Sequence, residues 1–182
     1  MAPELAQALR SFESHSPEAT EGLGEQLGRH LPPGSVLTLD GDLGSGKTAL
    51  VRGLARGLGI PGPISSPSYT LMVAHGTAPV AEADSDCAAP RCPLYHYDAW
   101  MEGREKAFLS QGGAEWFHAD GIAAIEWGAR LGPLIPDEHL ALELSHRGPA
   151  ERAITLRARG AGLVDCLVAI RAMPDLKEVR EL

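Results

Sequence analysis

One glycine-rich loop holds the residues whose types and spacing have the clearest chemical use, Gly41-Asp42-Leu43-Gly44-Ser45-Gly46-Lys47-Thr48. Glycines let the backbone curl until several N–H groups converge on an anion, and a helix N-terminus adds the positive end of its dipole. In this pattern Lys47 reaches the β- and γ-phosphates of a nucleotide, and the Thr48 hydroxyl ligates Mg²⁺. We therefore predict a Walker A loop whose nucleotide contacts come from Asp42, Leu43, Gly44, Ser45, Gly46, Lys47, Thr48 and Ala49.

The segments on either side decide whether this loop is more than a glycine-rich turn. A P-loop requires a strand before it and a helix after it. Residues 36–39 form a short apolar run typical of a buried strand, and Leu50, Leu54 and Leu58 recur at helical spacing after the loop. Both requirements are met, so we interpret the loop as a phosphate site.

Hydrolysis of a nucleotide also requires acidic groups, for the metal and for the attacking water. Ligands of open α/β sheets lie at the C-terminal ends of strands, so acids that follow strands are the candidates. Glu126 follows the apolar residues 122–125, and Asp98 ends another short strand. We predict that Lys47, Asp98 and Glu126 are catalytic and that Thr48, Asp98 and Glu126 surround the metal. A surface acid is the alternative for Glu126 and a helix N-cap for Asp98, and which of them orients the water stays open.

Two further side chains are neighbours of these acids in the sequence. His96 precedes Asp98 by two residues, so both side chains point to one face of the strand. His96 could sense the γ-phosphate or tune Asp98, or it could be a buried histidine of the core. Trp127 follows Glu126 and could stack near the nucleotide or a partner, or lie as a lid over the core.

Hydroxyl groups are concentrated in Ser65-Ser66-Pro67-Ser68-Tyr69-Thr70, one helix after the loop, where nucleotide hydrolases place a switch segment. The hydroxyls of Ser68 and Thr70 could contact the γ-phosphate or Mg²⁺ and change conformation upon hydrolysis. A simple Ser/Pro turn explains the same composition and is, on spacing alone, the slightly better interpretation.

The sequence indicates ATP as the nucleotide. GTPases read guanine with an Asn-Lys-x-Asp motif, and this chain contains no asparagine. A small-molecule kinase is the main alternative class, but such enzymes carry an arginine-rich lid, and residues 100–120 contain only Arg104. A third class is a binding module that uses ATP only to change partners.

Composition and charge limit the number of domains, the binding partners and the cellular compartment that we expect. The 182 residues suffice for one domain, and we treat 1–182 as a single P-loop ATPase domain. The net charge of −8 does not favour direct binding to a nucleic-acid backbone, so we expect any RNA to be reached through a partner. The start of the chain lacks a secretory signal, no stretch approaches a membrane span, and the three cysteines lack disulfide spacing, which together indicate the cytoplasm.

The patterns predict a three-layer α/β P-loop fold with a mostly parallel sheet and an antiparallel extension. The predicted helices cover 16–31, 48–58, 102–119 (in two pieces, broken at Gly112-Gly113) and 162–173. The predicted strands cover 36–39, 68–75, 94–98, 122–125, 140–144 and 153–157, the last two antiparallel. We expect residues 1–15 to be loosely ordered and residues 76–92 to form a mobile insertion.

Taken together, four segments resemble those of the TsaE family, the bacterial ATPases of tRNA threonylcarbamoyladenosine biosynthesis. They are the loop at 41–48 with its continuation to Gly59, Ser66-Pro67-Ser68-Tyr69-Thr70-Leu71, Leu94-Tyr95-His96-Tyr97-Asp98, and Ile125-Glu126-Trp127. The resemblance covers residues 16–160 and leaves 161–182 unmatched. It implies an ATPase, slow on its own, that binds a threonylcarbamoyl transferase and its non-catalytic paralogue, resets them between turnovers, and reaches tRNA only indirectly.

The resemblance also implies roles for individual residues. Thr48 and Glu126 would be Mg²⁺ ligands, and Asp98 would serve the metal or the water. Thr20 and Arg152 would contact the outer parts of the nucleotide. Residues 66–70, which we call the serine-rich segment, would be the switch-like loop.

The sequence departs from the family pattern at two positions. Ser68 stands where the family usually has Thr, and the hydroxyl group is retained. After Asp98 the family usually has an aromatic residue followed by Arg-Leu, whereas here Trp100 keeps the aromatic and Met101 replaces the arginine. Any partner or phosphate contact made by that arginine is therefore in question.

Overall fold

The computed structural model of the protein describes residues 6–77, 90–101, 103–110, 117 and 120–179. In chain order the elements are β1 Gln7–Ser14, α1 Pro17–His30, β2 Val36–Asp40, α2 Lys47–Gly57, β3 Met72–His75, β4 Leu94–Asp98, α3 Arg104–Ser110, β5 Ile122–Glu126, a 3-10 helix Gly128–Leu134, β6 Leu140–His146, β7 Arg152–Arg159, α4 Ala161–Ala169 and β8 Leu176–Val179. Among the described residues, no helix is long and apolar enough to cross a membrane.

The eight strands form one sheet in the order β3-β4-β5-β2-β6-β7-β1-β8. The four strands at its centre, β4, β5, β2 and β6, run parallel to one another. Outside them, β3 pairs antiparallel with β4 on one side, and β7, β1 and β8 follow antiparallel on the other. The prediction of a mostly parallel sheet is therefore wrong. The sheet is mixed, with three parallel and four antiparallel pairs among the described strands.

The antiparallel half is larger than expected because residues near the start of the chain contribute to it. The prediction that residues 1–15 are loosely ordered is wrong for β1, which pairs with β7 along its whole length. Most residues of β1 are polar, and only Phe12 and Ser14 are buried, so its periodicity gives a weak strand signal. β8 pairs with the other edge of β1. Residues 1–5 lie outside the described residues.

Helix α4 ends at Ala169, earlier than the predicted end at Met173. The guanidinium group of Arg10 on β1 donates to the carbonyl oxygen of Leu167 and, at 2.9 Å, to that of Ile170. These bonds satisfy carbonyl groups that the end of a helix leaves without partners. Because Arg10 is distant in the sequence, no local pattern could indicate this helix end.

The segment predicted as a strand over 68–75 forms a strand only from Met72 onward. It begins with a turn in which the backbone N–H of Thr70 donates to the carbonyl oxygen of Pro67 at 3.1 Å. A serine-proline turn, the alternative interpretation, thus describes the first part of this segment better than a strand does.

The remaining predicted elements agree with the structure within two residues, with one exception. Of the helical stretch predicted over 102–119, α3 covers Arg104–Ser110. The predicted break at Gly112-Gly113 lies outside the described residues, and most of the insertion predicted at 76–92 does so too.

Apolar side chains leave the central strands in both directions, so the sheet has a core on each face. Leu37 and Leu39 of β2 pack with residues of α1, α2 and α4 on one face. Val36 packs on the other face with Ile125 of β5 and Leu131 of the 3-10 helix. Burial on both faces is the normal setting of parallel strands, and it agrees with the three layers that we predicted.

Four glycines bring the backbones of α1 and α2 into direct contact, Gly24 and Gly28 on α1 and Gly53 and Gly57 on α2. A Cβ atom at Gly53 would lie 1.8 Å from the carbonyl oxygen of Glu21. At the other three glycines, Cβ atoms would lie between 2.1 and 2.3 Å from carbonyl oxygens of the facing helix. This contact fixes α2, the helix that follows the glycine-rich loop, against α1.

We predict that Gly53→Ala lowers the free energy of unfolding by about 2 kcal/mol, because the helices must separate to admit the methyl group. This loss exceeds the gain of roughly 0.5–1 kcal/mol that alanine brings to a helix interior. Gly162→Ala in α4 is the matched control, since its Cβ would lie 3.4 Å from a side-chain atom of Pro32. Urea and thermal unfolding measure both variants. A Gly53→Ala protein as stable as the wild type would contradict the close contact.

Candidate functional site

The loop between β2 and α2 is built on glycines in conformations that other residues avoid. Gly41 and Gly46 have φ angles of 143° and 105°, in the region that favours glycine. At Gly41 a Cβ atom would also lie 2.1 Å from the carbonyl oxygen of Leu144 on β6. Helix α2 begins at Lys47, and no side chain of the described residues caps its N-terminus. The first amides of the helix are therefore left for water or for an anion.

The ammonium group of Lys47 folds back over this loop. Its Nζ donates to the carbonyl oxygens of Gly41 at 2.7 Å and Asp42 at 2.9 Å, and it lies 3.9 Å from the centroid of the Trp127 ring. Burial lowers the pKa of Lys47, while the charge of Glu126 and of other nearby acids acts in the opposite direction. The cation is thus held by backbone dipoles and an aromatic face, and a phosphate could replace these contacts.

Parallel pairing brings the two candidate acids to one edge of the sheet. Asp98 of β4 lies beside Glu126 of β5, and Glu126 lies beside Leu39 of β2. The Oε1 atom of Glu126 accepts a hydrogen bond from Thr48 Oγ1 at 2.7 Å and lies 3.0 Å from His96 Nε2. One carboxylate oxygen therefore joins the first turn of α2 to the end of β5 and to β4.

Asp98 is tied to the serine-rich segment. Its Oδ2 atom accepts hydrogen bonds from Ser66 Oγ and Ser68 Oγ, each at 2.7 Å, and Oδ1 accepts one from the backbone N–H of Trp100 at 2.8 Å. Burial raises the pKa of Asp98, but these three hydrogen bonds and the nearby His96 lower it, and the resulting pKa lies below the ordinary value. Asp98 is therefore a stable carboxylate that holds the serine-rich segment against the end of β4.

The hydrogen bond of His96 goes to Glu126. The side chain is completely buried, as the core alternative requires, and its influence on Asp98 is electrostatic. The sequence did not indicate the contact with Glu126 because that contact depends on the pairing of β4 with β5. His96 lies beside Ala124, which places its ring one strand away from the carboxylate two residues further along β5.

A cavity of about 410 Å³ lies over these groups. It is lined by Pro17, Thr20, Leu43, Gly44, Gly46, Lys47, Thr48, Ala49, Arg52, Ser66, Ser68, Asp98, Trp100, Glu126, Trp127, Ala150 and Arg152. The structure thus gathers most of the predicted site residues around one space. Three predicted residues do not line it: Asp42 and Thr70 are exposed to solvent, and Ser45 is buried.

Thr20 and Arg152, which the resemblance assigns to the outer part of a nucleotide, lie at the cavity wall but also make contacts within the protein. Thr20 Oγ1 and Ser14 Oγ are 2.8 Å apart, which joins α1 to β1. Arg152 donates from Nε to the carbonyl oxygen of Ser45 at 3.1 Å and from Nη2 to that of Gly44 at 3.2 Å. Arg152 therefore braces the glycine-rich loop from the side of β7.

A pair of tryptophans forms one wall of the cavity. The ring centroids of Trp100 and Trp127 are 4.4 Å apart. The guanidinium group of Arg130 lies 4.7 Å from the centroid of the Trp100 ring and donates to the Trp100 carbonyl oxygen. The sequence indicated Trp127 as a site residue, and Trp100 only as the aromatic residue that the family keeps after Asp98. It did not indicate Arg130, whose position depends on the path of the 3-10 helix. That helix approaches β2 so closely that a Cβ atom at Gly128 would lie 2.5 Å from Thr38 Cβ.

Comparison of the sequence with known families matches most of the chain to a family model. The family described as threonylcarbamoyl adenosine biosynthesis protein TsaE matches residues 14–154. This range contains the glycine-rich loop, the serine-rich segment and both candidate acids. Helix α4 and strand β8 follow after it.

Individual relatives are similar over most of their length. The chain is 34% identical over 145 residues to the tRNA threonylcarbamoyladenosine biosynthesis protein TsaE of Bacillus subtilis, covering 80% of this chain and 83% of the relative. It is 35% identical over 144 residues to the protein of the same description from Treponema pallidum, covering 79% and 96%. The crystal structure of YdiB from Bacillus subtilis superimposes with a TM-score of 0.67 and 29% identity, covering 92% of this chain and 95% of that one.

We predict that the ionised Asp98 stabilises the fold at neutral pH and loses this effect in acid. Because its pKa is lower in the folded chain than in the unfolded chain, the contribution is complete above the ordinary pKa and disappears as the pH falls through the folded value. Ser68→Ala removes one hydrogen-bond donor, so Asp98 should titrate at a higher pH than in the wild type. Carboxylate ¹³C NMR, assigned with Asp98→Asn, measures this titration.

Ser110→Ala is the control for this titration. It removes an exposed hydroxyl that donates to the carbonyl oxygen of Ala107 at 3.0 Å and is not one of the groups that donate to Asp98. The titration of Asp98 should be unchanged in this variant. If Ser68→Ala also leaves the titration unchanged, the hydrogen bond from Ser68 does not set the ionisation of Asp98.

Proposed function

Because this chain belongs to the TsaE family of threonylcarbamoyl adenosine biosynthesis proteins, we propose that it is the Mg²⁺-dependent ATPase of that biosynthesis. Proteins of this family take part in making threonylcarbamoyladenosine in tRNA, and the family resemblance drawn from the motifs is confirmed. The ATPase activity goes beyond membership of the family and is what we propose here. The observation that carries it is the hydrogen bond between Thr48 and Glu126 beside the uncapped start of α2.

In this proposal the phosphates of ATP bind at the start of α2. The first amides of the helix have no side-chain cap and lie at the positive end of the helix dipole. Lys47 exchanges its contacts with the carbonyl oxygens of Gly41 and Asp42 for phosphate oxygens. Arg152 keeps the loop in shape through its hydrogen bonds to the loop carbonyls.

The side chains at this end of the sheet fit a magnesium ion that is shared with the phosphates. In the described part of the chain, no cluster of three or more His, Cys, Asp or Glu residues could hold a metal by itself. Magnesium sites at nucleotides use one or two protein side chains together with phosphates and water. Thr48 Oγ1 and the Glu126 carboxylate, 2.7 Å apart, supply such a pair. The bound ion would neutralise charge that develops on the phosphate oxygens.

Glu126 is the better of the two acids to orient the attacking water. Both of its hydrogen bonds with described residues end on Oε1, which leaves Oε2 available. Asp98 already has hydrogen bonds on both oxygens, from Ser66 and Ser68 and from the backbone of Trp100. We therefore assign the water to Glu126 and the placement of the serine-rich segment to Asp98. The water oxygen would bond to the γ-phosphorus and give a proton to Glu126 as the bond to the bridging oxygen breaks, which releases ADP and phosphate.

The nucleotide and the partner are further parts of the proposal. ATP is favoured over GTP because the chain has no asparagine for the guanine-reading motif. A net charge of −8 does not suit direct binding to tRNA. The proposed partner is instead a threonylcarbamoyl transferase with its non-catalytic paralogue, which ATP binding or hydrolysis resets between turnovers in the cytoplasm.

Two variants should separate ATP binding from ATP hydrolysis. Lys47→Ala removes the cation at the phosphates, so calorimetry should show ATP binding weakened by about 10–100-fold, since a hydrogen bond to a charged group contributes about 1.5–3 kcal/mol. Glu126→Gln keeps the size of the side chain but removes the base. It should bind ATP like the wild type and hydrolyse it on the order of 10²-fold more slowly.

Exposed residues of the same types serve as controls for these variants. Lys177→Ala on β8 and Glu143→Gln on β6 should alter neither binding nor hydrolysis. Wild-type hydrolysis by Glu126→Gln would show that the water is not oriented by Glu126. A wild-type protein that binds no ATP would contradict the proposed function as a whole.

We predict that association with the transferase and its paralogue depends on ATP. A pull-down with the purified pair from the same organism should retain the wild type in the presence of ATP and Mg²⁺ but lose Lys47→Ala, while Lys177→Ala behaves as wild type. Equal retention with and without ATP, or none at all, would contradict the partner assignment. Fast phosphate transfer from ATP to an added small acceptor by the isolated chain would instead favour a kinase.

A further inference from the structure

His96 is a buried polar side chain that the chemistry proposed above does not use. It lies on β4, completely buried, with Nε2 3.0 Å from Oε1 of Glu126. Its Nδ1 is buried as well and has no hydrogen-bond partner among the described residues. The ring of His75 lies with its centroid 6.4 Å from that of His96. A buried polar group with this arrangement requires an explanation, because most such groups are fully hydrogen-bonded.

The hydrogen bond to Glu126 defines which nitrogen of the ring carries the proton. An ionised carboxylate only accepts hydrogen bonds, so Nε2 of His96 must be the donor. A proton on Nδ1 would lie in a buried position where the described residues offer no acceptor, which is costly. Nε2 therefore carries the hydrogen in the contact with Glu126, and the ring presents one fixed donor to one carboxylate oxygen.

We propose that His96 is the positioning residue that fixes the Glu126 carboxylate for the attacking water, an inference that rests on the proposed ATPase function. Oε1 of Glu126 is held from two sides, by Thr48 and by His96. Thr48 lines the cavity, where phosphates and metal would bind, whereas His96 lies in the core. The contact with His96 therefore persists whatever occupies the cavity, and it keeps Oε2 pointing in one direction.

This assignment also gives a reason for the spacing of His96 and Asp98. The two side chains leave the same face of β4, and one strand thereby serves both acids. Asp98 holds the serine-rich segment through its own carboxylate. His96 holds the neighbouring carboxylate on β5. A shift of about 1 Å in a reacting group can lower the rate by 10²-fold, so a fixed support for Glu126 should raise the rate of ATP hydrolysis.

The kinetic test compares His96→Ala with His96→Gln in the full chain. His96→Ala removes the donor, and the rate constant for ATP hydrolysis should fall by about 10–100-fold while the affinity for ATP stays unchanged. His96→Gln keeps an N–H donor of similar reach and should recover most of the rate. His30→Ala, at an exposed position at the end of α1, is the matched control and should behave as the wild type.

A second measurement needs neither a variant nor activity. Long-range ¹⁵N–¹H NMR of the ligand-free wild type should show a proton on Nε2 of the His96 ring. A ring protonated on Nδ1 alone would overturn the positioning role, because Nε2 could not then donate to Glu126. This result stays decisive if His96→Ala does not fold.

The outcomes separate this inference from the function on which it rests. If the wild type does not hydrolyse ATP, both are overturned. If the wild type hydrolyses ATP, Glu126→Gln hydrolyses it on the order of 10²-fold more slowly, and His96→Ala matches the wild type, only the role of His96 is overturned. A His96→Ala protein that melts like the wild type but loses ATP affinity would also overturn it, since a support for Glu126 acts on the rate.

Discussion

The 2.7 Å hydrogen bond from Thr48 to Glu126 joins the helix that follows the glycine-rich loop to the ends of the parallel strands. It depends on the register of β5 beside β2, which places Glu126 next to Leu39 just before the loop. The same register, carried on to β4, places Asp98 beside Glu126. The loop and both acids therefore share one edge of the sheet because the central strands are parallel. These strands are buried on both faces, which is the normal setting of parallel strands.

Elements outside the parallel strands keep that edge in place. The glycines of α1 and α2 allow the two helix backbones to touch, which fixes α2, the helix that carries Thr48, against α1. The antiparallel half contributes through β7, from which Arg152 holds the carbonyl groups of the loop. β1 lines the other side of β7, and its Ser14 reaches Thr20 on α1. The phosphate loop is thus supported from the helices and from the antiparallel strands together.

The sequence predicted those parts of the site that depend on local patterns. The loop at 41–48 and the acids at the strand ends are visible because glycine spacing and a strand followed by an acid are properties of short segments. The contact of His96 with Glu126 depends on how two distant strands pair, and the stacking of Arg130 on Trp100 depends on the path of a 3-10 helix. Strand β1 was missed for another reason: it is mostly polar, and pairing with β7 and β8 defines it.

If ATP hydrolysis at Thr48 and Glu126 supports the biosynthesis, the amount of threonylcarbamoyladenosine in tRNA should depend on these residues. The most direct measurement is mass-spectrometric quantification of threonylcarbamoyladenosine in tRNA from cells depleted of this chain and then supplied with wild type or Thr48→Ala. We expect depletion to lower the modified nucleoside, the wild type to restore it, and Thr48→Ala to leave it low. Full restoration by Thr48→Ala, at equal protein levels, would contradict a role for this site in the modification of tRNA.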